Sequence, residues 1–288
     1  MKVLLTGARG QLGSAVDAHF RSSGHDVTAT KRSDLDLTRH EDVLRLVSSV
    51  RPDVIVNCAA FTDVDGAEDR PVEALEVNAF AVRSLARAAA EHGAALVHYS
   101  TDFVYGGEPS RSDLYTEADR PDPQSYYGVT KLLGEWLAAG AGRHYVFRVE
   151  SLFGGPLARS SVDKIADALS SGREAKVFED RVVSPSYVED VAWATARALE
   201  LGIPSGLYHC VNGGSGTWLD VGREIARIGG FDPVLLVPVK IGDVALKAKR
   251  PQFCALSNAK LARAGVEMPA WQEALRRYLG VRESRTCA

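Results

Sequence analysis

Three glycines follow the first apolar segment of the chain, in the stretch VLLTGARGQLG at residues 3–13. Gly7, Gly10 and Gly13 have the spacing G-x-x-G-x-x-G, and the residues after them have the pattern of a helix. In a strand, turn and helix of this kind, the first glycine permits the tight turn and the second lets the backbone approach a pyrophosphate. The third lets the helix pack closely on the strand. The stretch therefore predicts a dinucleotide site in an α/β fold.

Strand-like and helix-like segments alternate in the first half of the chain, which predicts a parallel sheet covered by helices. The predicted strands are residues 3–6, 25–30, 54–57, 94–99 and 145–149. The predicted helices are residues 11–22, 39–50 with Thr38 as cap, 72–92 and 125–139, and a long polar loop is predicted at residues 106–124. We expect a Rossmann-type doubly wound sheet from residues 1–152 and 183–211. Residues 153–182 and 212–288 are expected to form a smaller, interleaved α/β substrate-binding domain.

Composition limits the class of protein. The formal net charge is only -3, and the chain has no long block of Lys or Arg, so we expect neither a nucleic-acid partner nor a membrane surface. Cys58, Cys210, Cys254 and Cys287 lie far apart without a C-x-x-C pair, which predicts free thiols. The glycine turn begins after six residues, leaving no room for a signal peptide. We therefore expect a cytoplasmic protein, and the histidine spacing predicts no metal site.

Basic residues follow the second predicted strand at Lys31 and Arg32, and Arg9 lies inside the glycine turn. In NAD sites an acidic residue at this strand end binds the ribose, whereas a basic residue accommodates the 2′-phosphate of NADP. Asp34 and Asp36 follow closely and remain candidate ribose ligands. The basic residues favour NADPH as the cofactor, with NADH as the alternative.

The stretch SYYGVTKLLGE places Tyr127 and Lys131 four residues apart on a predicted helix, so both side chains face the same way. A cation beside a tyrosine hydroxyl favours the phenolate and makes the group a usable proton donor and acceptor near neutral pH. A carbonyl reductase needs such a group, because a proton must reach the oxygen as hydride reaches the carbon. The pair predicts a proton-transfer site.

Ser100, Thr101 and Asp102 follow the fourth predicted strand in HYSTDFVYGG. Ligands bind at the carboxyl ends of the strands in open α/β sheets, and a hydroxyl there can hydrogen-bond a substrate carbonyl as charge develops on it. The alternative is that these residues only end the strand and cap a turn. Together with the glycine turn and the Tyr127/Lys131 pair, they indicate a reductase site.

Several motifs resemble those of the extended short-chain dehydrogenase/reductases, and more narrowly the dTDP-4-dehydrorhamnose reductase family. They are the glycine turn, VNCAAFTDVDGAE, VNAFAVRSLA, STDFVYGG, YYGVTKLLGE and KRP. The resemblance covers nearly the whole chain, most strongly up to Phe153. It implies NADPH-dependent reduction of the C4 keto group of a dTDP-linked 4-keto-6-deoxyhexose. In that reaction Tyr127 would protonate the oxygen, Lys131 would hold the nicotinamide ribose, and Thr101 would orient the carbonyl.

The resemblance and the motifs together assign site residues. The expected cofactor-binding residues are Gly7, Arg9, Gly10, Gln11, Leu12, Gly13, Lys31, Arg32, Asp36, Leu37, Ala59, Ala60, Thr62, Asn78, Tyr127 and Lys131. The expected substrate-binding residues are Thr101, Asp102, Phe103, Tyr127 and Arg250, with Arg250 a candidate partner for the substrate's phosphates. The partner expected for the chain is therefore a nucleotide-linked keto-sugar, bound by a monomer or a homodimer.

Two departures from the family pattern affect the details. The family commonly reads R-T-S-W-V-F-G after the fifth strand, whereas RVESLFG here lacks the tryptophan and introduces Glu150. Some members carry a glutamate on the first helix that helps to bind magnesium, and Ala15 stands at that position here, so we expect no metal. The altered loop leaves a reductase of another nucleotide-linked keto-sugar as an alternative. An epimerase or dehydratase and a non-catalytic dinucleotide-binding regulatory subunit also remain alternatives.

Overall fold

A six-stranded parallel sheet forms the centre of the computed structural model, which describes residues 1–286 and the side chains of residues 1–282. The strands are β1 (Lys2–Thr6), β2 (Asp26–Thr30), β3 (Val54–Asn57), β4 (Ala95–Thr101), β5 (His144–Val149), β6 (Leu152–Phe153), β7 (Ala175–Phe178), β8 (Val182–Val183), β9 (Ser186–Tyr187), β10 (Gly206–His209), β11 (Gly216–Thr217) and β12 (Leu236–Val239). The central sheet has the order β10-β5-β4-β3-β1-β2. Its direction of growth reverses between β1 and β3, where such sheets bind ligands.

Helices cover both faces of the sheet. They are α1 (Gln11–Ser22), α2 (His40–Val50), α3 (Val64–Asp69), α4 (Pro71–Leu75), α5 (Ala81–His92), α6 (Tyr126–Ala138), α7 (Ser161–Ser170), α8 (Val188–Leu201), α9 (Trp218–Gly229), α10 (Ala259–Arg263) and α11 (Trp271–Thr286). Successive β1 residues pack on opposite sides: Val3 and Leu5 join the apolar cluster of α1 and α8, and Leu4 joins that of α2 and α5. The predicted doubly wound parallel sheet is confirmed.

Three local predictions were wrong. Thr38 does not cap α2, because its N–H and hydroxyl both donate to Asp36 Oδ1, and Arg39 is the N-cap. The helix predicted at residues 72–92 is interrupted by a π-helical turn at Glu76–Phe80, and the separate helix α3 precedes it. Strand β4 continues to Thr101, two residues beyond its predicted end.

The carboxyl-terminal part has its own apolar core. Phe153, Trp218 and Trp271 belong to a cluster built from α7, α9, α11 and the short strands between them. Leu261 and Val266, by contrast, pack against the core of the central sheet. The predicted domain boundaries after residues 152, 182 and 211 remain a prediction. The separate carboxyl-terminal cluster favours them. Residues 261–266, which the prediction assigns to the smaller domain, pack instead on the central sheet.

Cys58, Cys210 and Cys254 are free thiols, and Cys287 lies outside the described residues. Within residues 1–286 we find no helix with the length and apolar character needed to cross a bilayer.

Candidate active site

A cavity of about 740 Å³ opens at the carboxyl ends of β1, β3 and β4. Its volume is in the range of small-molecule and cofactor sites. Most of the predicted cofactor-binding residues line it, namely Gly7, Gly10, Gln11, Leu12, Lys31, Arg32, Asp36, Leu37, Ala59, Ala60, Thr62, Tyr127 and Lys131. The structure thus brings together residues from the glycine turn, the end of β2, the segment after β3 and helix α6.

The glycine turn leaves no space for side chains at its two ends. Gly7 has a φ of +70°, and a Cβ there would lie 2.6 Å from the backbone nitrogen of Ala59. A Cβ at Gly13 would lie 2.1 Å from the carbonyl oxygen of Gly7. Gly13 therefore permits close packing of α1 against the glycine turn, and it does not line the cavity.

Gly10 differs, because an added Cβ would meet only the carbonyl oxygen of Gly7, at 3.2 Å. Gly10 is exposed, and it precedes the first turn of α1, whose free N–H groups favour an anion. Gln11 fixes the opposite wall by donating to the carbonyls of Leu152 and Gly154. This cradle fits the pyrophosphate of a dinucleotide.

Besides Gly13, two predicted cofactor residues lie outside the cavity lining. Arg9 is exposed and does not line the cavity. Asn78 is buried in the π-helical turn, where its amide bonds the backbone of Phe61 through both Oδ1 and Nδ2 and also donates to Thr130 Oγ1. Asn78 therefore ties a cavity wall to α6, in agreement with the supporting role that the resemblance implies.

The end of β2 presents two basic side chains, Lys31 and Arg32. Lys31 Nζ lies 3.7 Å from Asp34 Oδ1, and Asp34 also accepts the N–H of Lys31. The hydrogen bonds from Thr38 lower the pKa of Asp36, and the charge of Arg32 lowers it further. Arg32 lines the cavity and forms no salt bridge with any of the described side chains, residues 1–282. Of these two basic residues, Arg32 is therefore the more available to an anionic ligand.

Lys131 is buried on α6, with its Nζ donating to the Tyr99 carbonyl at 2.5 Å. Burial lowers the pKa of Lys131 to about 8, and the negative charge of Glu135 opposes that fall. The ammonium form therefore predominates at neutral pH. Glu135, one helical turn further on, was missed by the sequence analysis, although it continues the four-residue spacing from Tyr127 and Lys131.

Glu135 belongs to a buried network below the cavity. Arg148 Nε and Nη2 donate to its two oxygens at 2.8 and 2.6 Å. The hydroxyl of Ser100, which lines the cavity, donates to Glu135 Oε1 at 2.5 Å. This network joins β4, β5 and α6 rigidly under Lys131.

Tyr127 lies in the first turn of α6, whose N-cap Ser125 accepts the N–H of Gly128. Burial of the hydroxyl raises the pKa of Tyr127, the charge of Asp102 raises it further, and the Thr101 hydroxyl opposes the rise. Lys131 is not among the groups that shift the pKa of Tyr127, so its predicted effect on the phenolate stays a prediction. The raised pKa favours the neutral phenol, which is the proton-donating form.

Thr101 and Asp102 end β4 beside Tyr127. Thr101 Oγ1 donates to Asp102 Oδ1 at 2.9 Å and accepts the N–H of Phe103 at 3.2 Å. The Phe103 ring packs edge-on against Tyr127, with the ring centroids 5.5 Å apart. These predicted substrate residues are adjacent to Tyr127, but they do not line the cavity themselves.

A further buried group adjoins Asp102 and was not predicted as part of the site. Oxygen and sulfur atoms of Asp102, Glu150 and Cys254 lie within 4.8 Å of one another. Arg181 Nη2 lies 4.0 Å from Asp102 Oδ2. Only Glu150 carried a signal in the sequence, as a departure from the family pattern; Arg181 and Cys254 reach the group from remote segments.

Arg250 is engaged by the protein itself. Its Nη1 and Nη2 donate to the two oxygens of Asp65, each at 2.8 Å, and it does not line the cavity. The pair joins the KRP segment to α3 and holds Arg250 away from the cofactor cavity. Its predicted contact with substrate phosphates remains a prediction.

Other lining residues were also missed. Phe61, Arg70 and Val77 come from the segments around α3 and α4, and Leu157 and Arg159 come from the segment before α7. Nothing in the glycine turn or the tyrosine motif indicates them, because they reach the cavity from elements packed over its rim.

Comparisons with known proteins agree with this arrangement. Residues 1–283 match the family described as RmlD substrate binding domain. A dTDP-4-dehydrorhamnose reductase of Mycolicibacterium smegmatis is 33% identical over 276 residues, covering 95% of this chain and 84% of the relative.

Solved structures are similar over almost the full length. A crystal structure of a dTDP-4-dehydrorhamnose reductase from Clostridium acetobutylicum has a TM-score of 0.92 and 32% identity, covering 98% of this chain and all of the other. The Bacillus anthracis enzyme, solved in complex with NADP, has a TM-score of 0.91 and 30% identity, with 97% and 99% coverage. The chain therefore belongs to the RmlD substrate binding domain family, that of the dTDP-4-dehydrorhamnose reductases.

Proposed function

We propose that this protein reduces the C4 keto group of a dTDP-linked 4-keto-6-deoxyhexose with NADPH. The observation that carries the proposal is the placement of Tyr127 and Lys131 on the wall of a cavity floored by the glycine turn. Relatives of similar length named dTDP-4-dehydrorhamnose reductases support the substrate class. The NADP complex of one such relative supports NADPH, as does Arg32, which lines the cavity and forms no salt bridge among the described side chains; NADH is the weaker alternative.

When bound, NADPH supplies a hydride. The glycine turn and the N-terminus of α1 would hold its pyrophosphate, and Arg32 would accept the 2′-phosphate. Lys131, fixed by the Tyr99 carbonyl and charged at neutral pH, is placed to hold the nicotinamide ribose. These residues position the cofactor without taking part in bond breaking.

Tyr127 donates the proton that completes reduction. Its raised pKa keeps the hydroxyl protonated in the resting site, so a donor is present before substrate arrives. Negative charge that develops on the substrate oxygen then draws the proton from Tyr127. Thr101 orients the carbonyl from the end of β4, and the bond between Thr101 and Asp102 fixes the rotamer of that hydroxyl.

The retention of Thr101, Tyr127 and Lys131 in one place argues against a purely regulatory subunit, which needs a cofactor cradle but no proton donor. We further propose that Phe103 contacts the sugar, because its ring packs against Tyr127. The predicted contact of Asp102 with the sugar stays a prediction, since its buried carboxyl faces the site through the Thr101 hydroxyl. Arg250 is a candidate for the substrate's phosphates only if its pair with Asp65 opens.

The test is to measure the loss of reduced-nicotinamide absorbance with dTDP-4-dehydro-L-rhamnose, running NADPH and NADH in parallel. Turnover with NADPH preferred is the expected result. Binding of NADPH without turnover of this substrate would contradict the proposed substrate. A subsequent lack of turnover with other nucleotide-linked 4-keto-sugars would favour the regulatory-subunit alternative.

A further inference from the structure

The buried group next to the proton donor contains two carboxyl groups and one guanidinium. Asp102 comes from the end of β4, Glu150 follows β5, and Arg181 precedes β8. Asp102 is 3% exposed and Glu150 is 1% exposed, so water scarcely reaches either carboxyl. The charges in this group must therefore balance largely among themselves.

Short β-like contacts between remote segments assemble the group. Glu150 Oε2 accepts the N–H of Ser184 at 2.8 Å, and the Cys254 thiol donates to Glu150 Oε1 at 3.1 Å. The N–H of Cys254 in turn bonds the carbonyl of Val182 at 3.1 Å. These bonds fix the Glu150 carboxyl within reach of Asp102.

Two polar atoms in the group, Asp102 Oδ2 and Arg181 Nε, have no hydrogen-bond partner among the described residues, and both are inaccessible to solvent. The separation of 4.0 Å between Arg181 Nη2 and Asp102 Oδ2 is too long for a hydrogen bond. A buried carboxylate oxygen without a donor is costly, whereas the same oxygen carrying a proton is much less so.

The number of charges gives the same answer. Among the described side chains, the titratable groups that face Asp102 are Glu150, Arg181, the Cys254 thiol and, from α6, Tyr127. Burial raises the pKa of both the thiol and the phenol, so at neutral pH neither carries a charge. Arg181 then offers one positive charge to two carboxyl groups. Two ionised carboxylates at this separation would leave one negative charge unbalanced in a dry environment.

We propose that Asp102 and Glu150 share one proton at neutral pH, and that Glu150 thereby limits the negative charge beside Thr101 and Tyr127. Glu150 is a positioning residue in this scheme, since it acts through Asp102. Burial raises the pKa of both carboxyl groups, and the charge of Asp102 raises that of Glu150 further.

Loss of the shared proton has a defined effect on reduction. A second negative charge makes the Tyr127 phenol a weaker acid, because the Asp102 charge already opposes its ionisation. A fully charged Asp102 also retains the Thr101 hydroxyl proton more strongly, so less of it is available to the substrate carbonyl. Reduction by the wild type therefore slows as pH rises through the upper ionisation of the pair.

The first test is the pH dependence of kcat for Glu150→Gln, which keeps the size of the side chain and removes its charge. This test rests on the proposed role of Tyr127. Lys131 titrates equally in both proteins, so the ratio of variant to wild-type kcat isolates the pair. We expect the ratio to rise roughly three- to tenfold from neutral to alkaline pH. A ratio that stays constant would overturn the proposal.

Glu189→Gln is the matched control, since Glu189 is a partly buried glutamate with a raised pKa and lies in the first turn of α8, outside the group. Its ratio to the wild type is expected to stay constant across the same range. If the ratio for Glu189→Gln rose as much as that for Glu150→Gln, the effect would come from removing any buried carboxyl group, and the proposal for Glu150 would be wrong.

The second test needs neither cofactor nor substrate, so its failure is distinct from failure of the proposed function. Carbon-13 NMR of glutamate-labelled protein should show a carboxyl that ionises well above the ordinary glutamate range and disappears in Glu150→Gln. In Asp102→Asn that ionisation should move down by at least about one pH unit, because the like charge is gone. An unchanged ionisation in Asp102→Asn would overturn the shared proton, even if Glu150→Gln failed to fold.

Discussion

The cofactor side and the substrate side of the site are built in different ways. The cofactor cavity is lined mainly by segments that directly follow β1, β2 and β3, and each segment supplies several neighbouring residues. The group behind Asp102 takes single residues from four separate parts of the chain, Asp102, Glu150, Arg181 and Cys254. One side is thus encoded locally, and the other depends on long-range packing.

The difference follows from the sheet. Parallel strands bring their carboxyl ends to one edge, so residues after β1 and β3 meet wherever the order of strands places those two side by side. Glu150 and Cys254 meet only because the segment near Val182 pairs with Phe253 and the short strand β6 pairs with β9. Those pairings lie in the part of the chain where the alternation of elements becomes irregular.

The largest effect is expected where the two sides meet, at Tyr127. Tyr127→Phe removes only the hydroxyl, so kcat should fall by about 10²- to 10⁴-fold while the NADPH dissociation constant changes little. Steady-state kinetics and a fluorescence titration with NADPH measure the two quantities. An equal loss of cofactor affinity would show that Tyr127 belongs to the cofactor side alone.

The glycine turn tests whether the cofactor side is locally encoded. In Gly13→Ala the Cβ would lie 2.1 Å from the Gly7 oxygen, so we expect a loss of at least about 2 kcal/mol in unfolding free energy. Gly10→Ala, the control, meets only one oxygen at 3.2 Å and should keep most of the stability while weakening NADPH binding. Urea denaturation and NADPH titration measure both variants. Equal destabilisation of the two would mean that Gly10 serves the fold and not the ligand.

The sequence was sufficient for the sheet, the glycine turn and the Tyr127/Lys131 pair, because each depends on residues close together in the chain. It failed at the π-helical turn around Asn78, where an amide bonding Phe61 and Thr130 overrides a continuous helical pattern. It also failed for Arg181 and Cys254. These residues reach the site because Val182 pairs with Phe253 in an isolated β-bridge, and no periodicity or spacing in the sequence indicates such a short pairing.

A smaller effect is expected from burial of the Lys131 ammonium, which should make folding stability depend on pH. Its pKa is lowered to about 8 in the fold, so the unfolded chain binds more protons between about pH 8 and its ordinary value. The contribution of Lys131 to the unfolding free energy is therefore lowest below pH 8, and it rises as the pH increases from about 8 to the ordinary lysine pKa. The gain should be roughly 2 kcal/mol between pH 8 and pH 10.

The measurement is thermal or urea unfolding of cofactor-free wild type and Lys131→Met at several pH values. Lys131→Met should lack this increment, so the unfolding free energy of the wild type minus that of the variant should rise by roughly 2 kcal/mol from pH 8 to pH 10. A difference that is independent of pH would show that the ammonium group is well compensated by Glu135 and the Tyr99 carbonyl before cofactor binds.

The smallest effect is expected at the rim, where the end of β2 presents its basic residues to solvent. Arg32→Ala should raise KM for NADPH roughly tenfold and leave KM for NADH within about twofold, because only NADPH carries the 2′-phosphate. Lys31→Ala should change the ratio of KM for NADPH to KM for NADH less, since Asp34 already lies 3.7 Å from Lys31 and offsets its charge. A larger effect at Lys31 than at Arg32 would mean that Asp34 releases Lys31 when the cofactor binds. Equal effects on both cofactors at Arg32 would place that side chain on the adenine or ribose and leave selection of the phosphate to another residue of the rim.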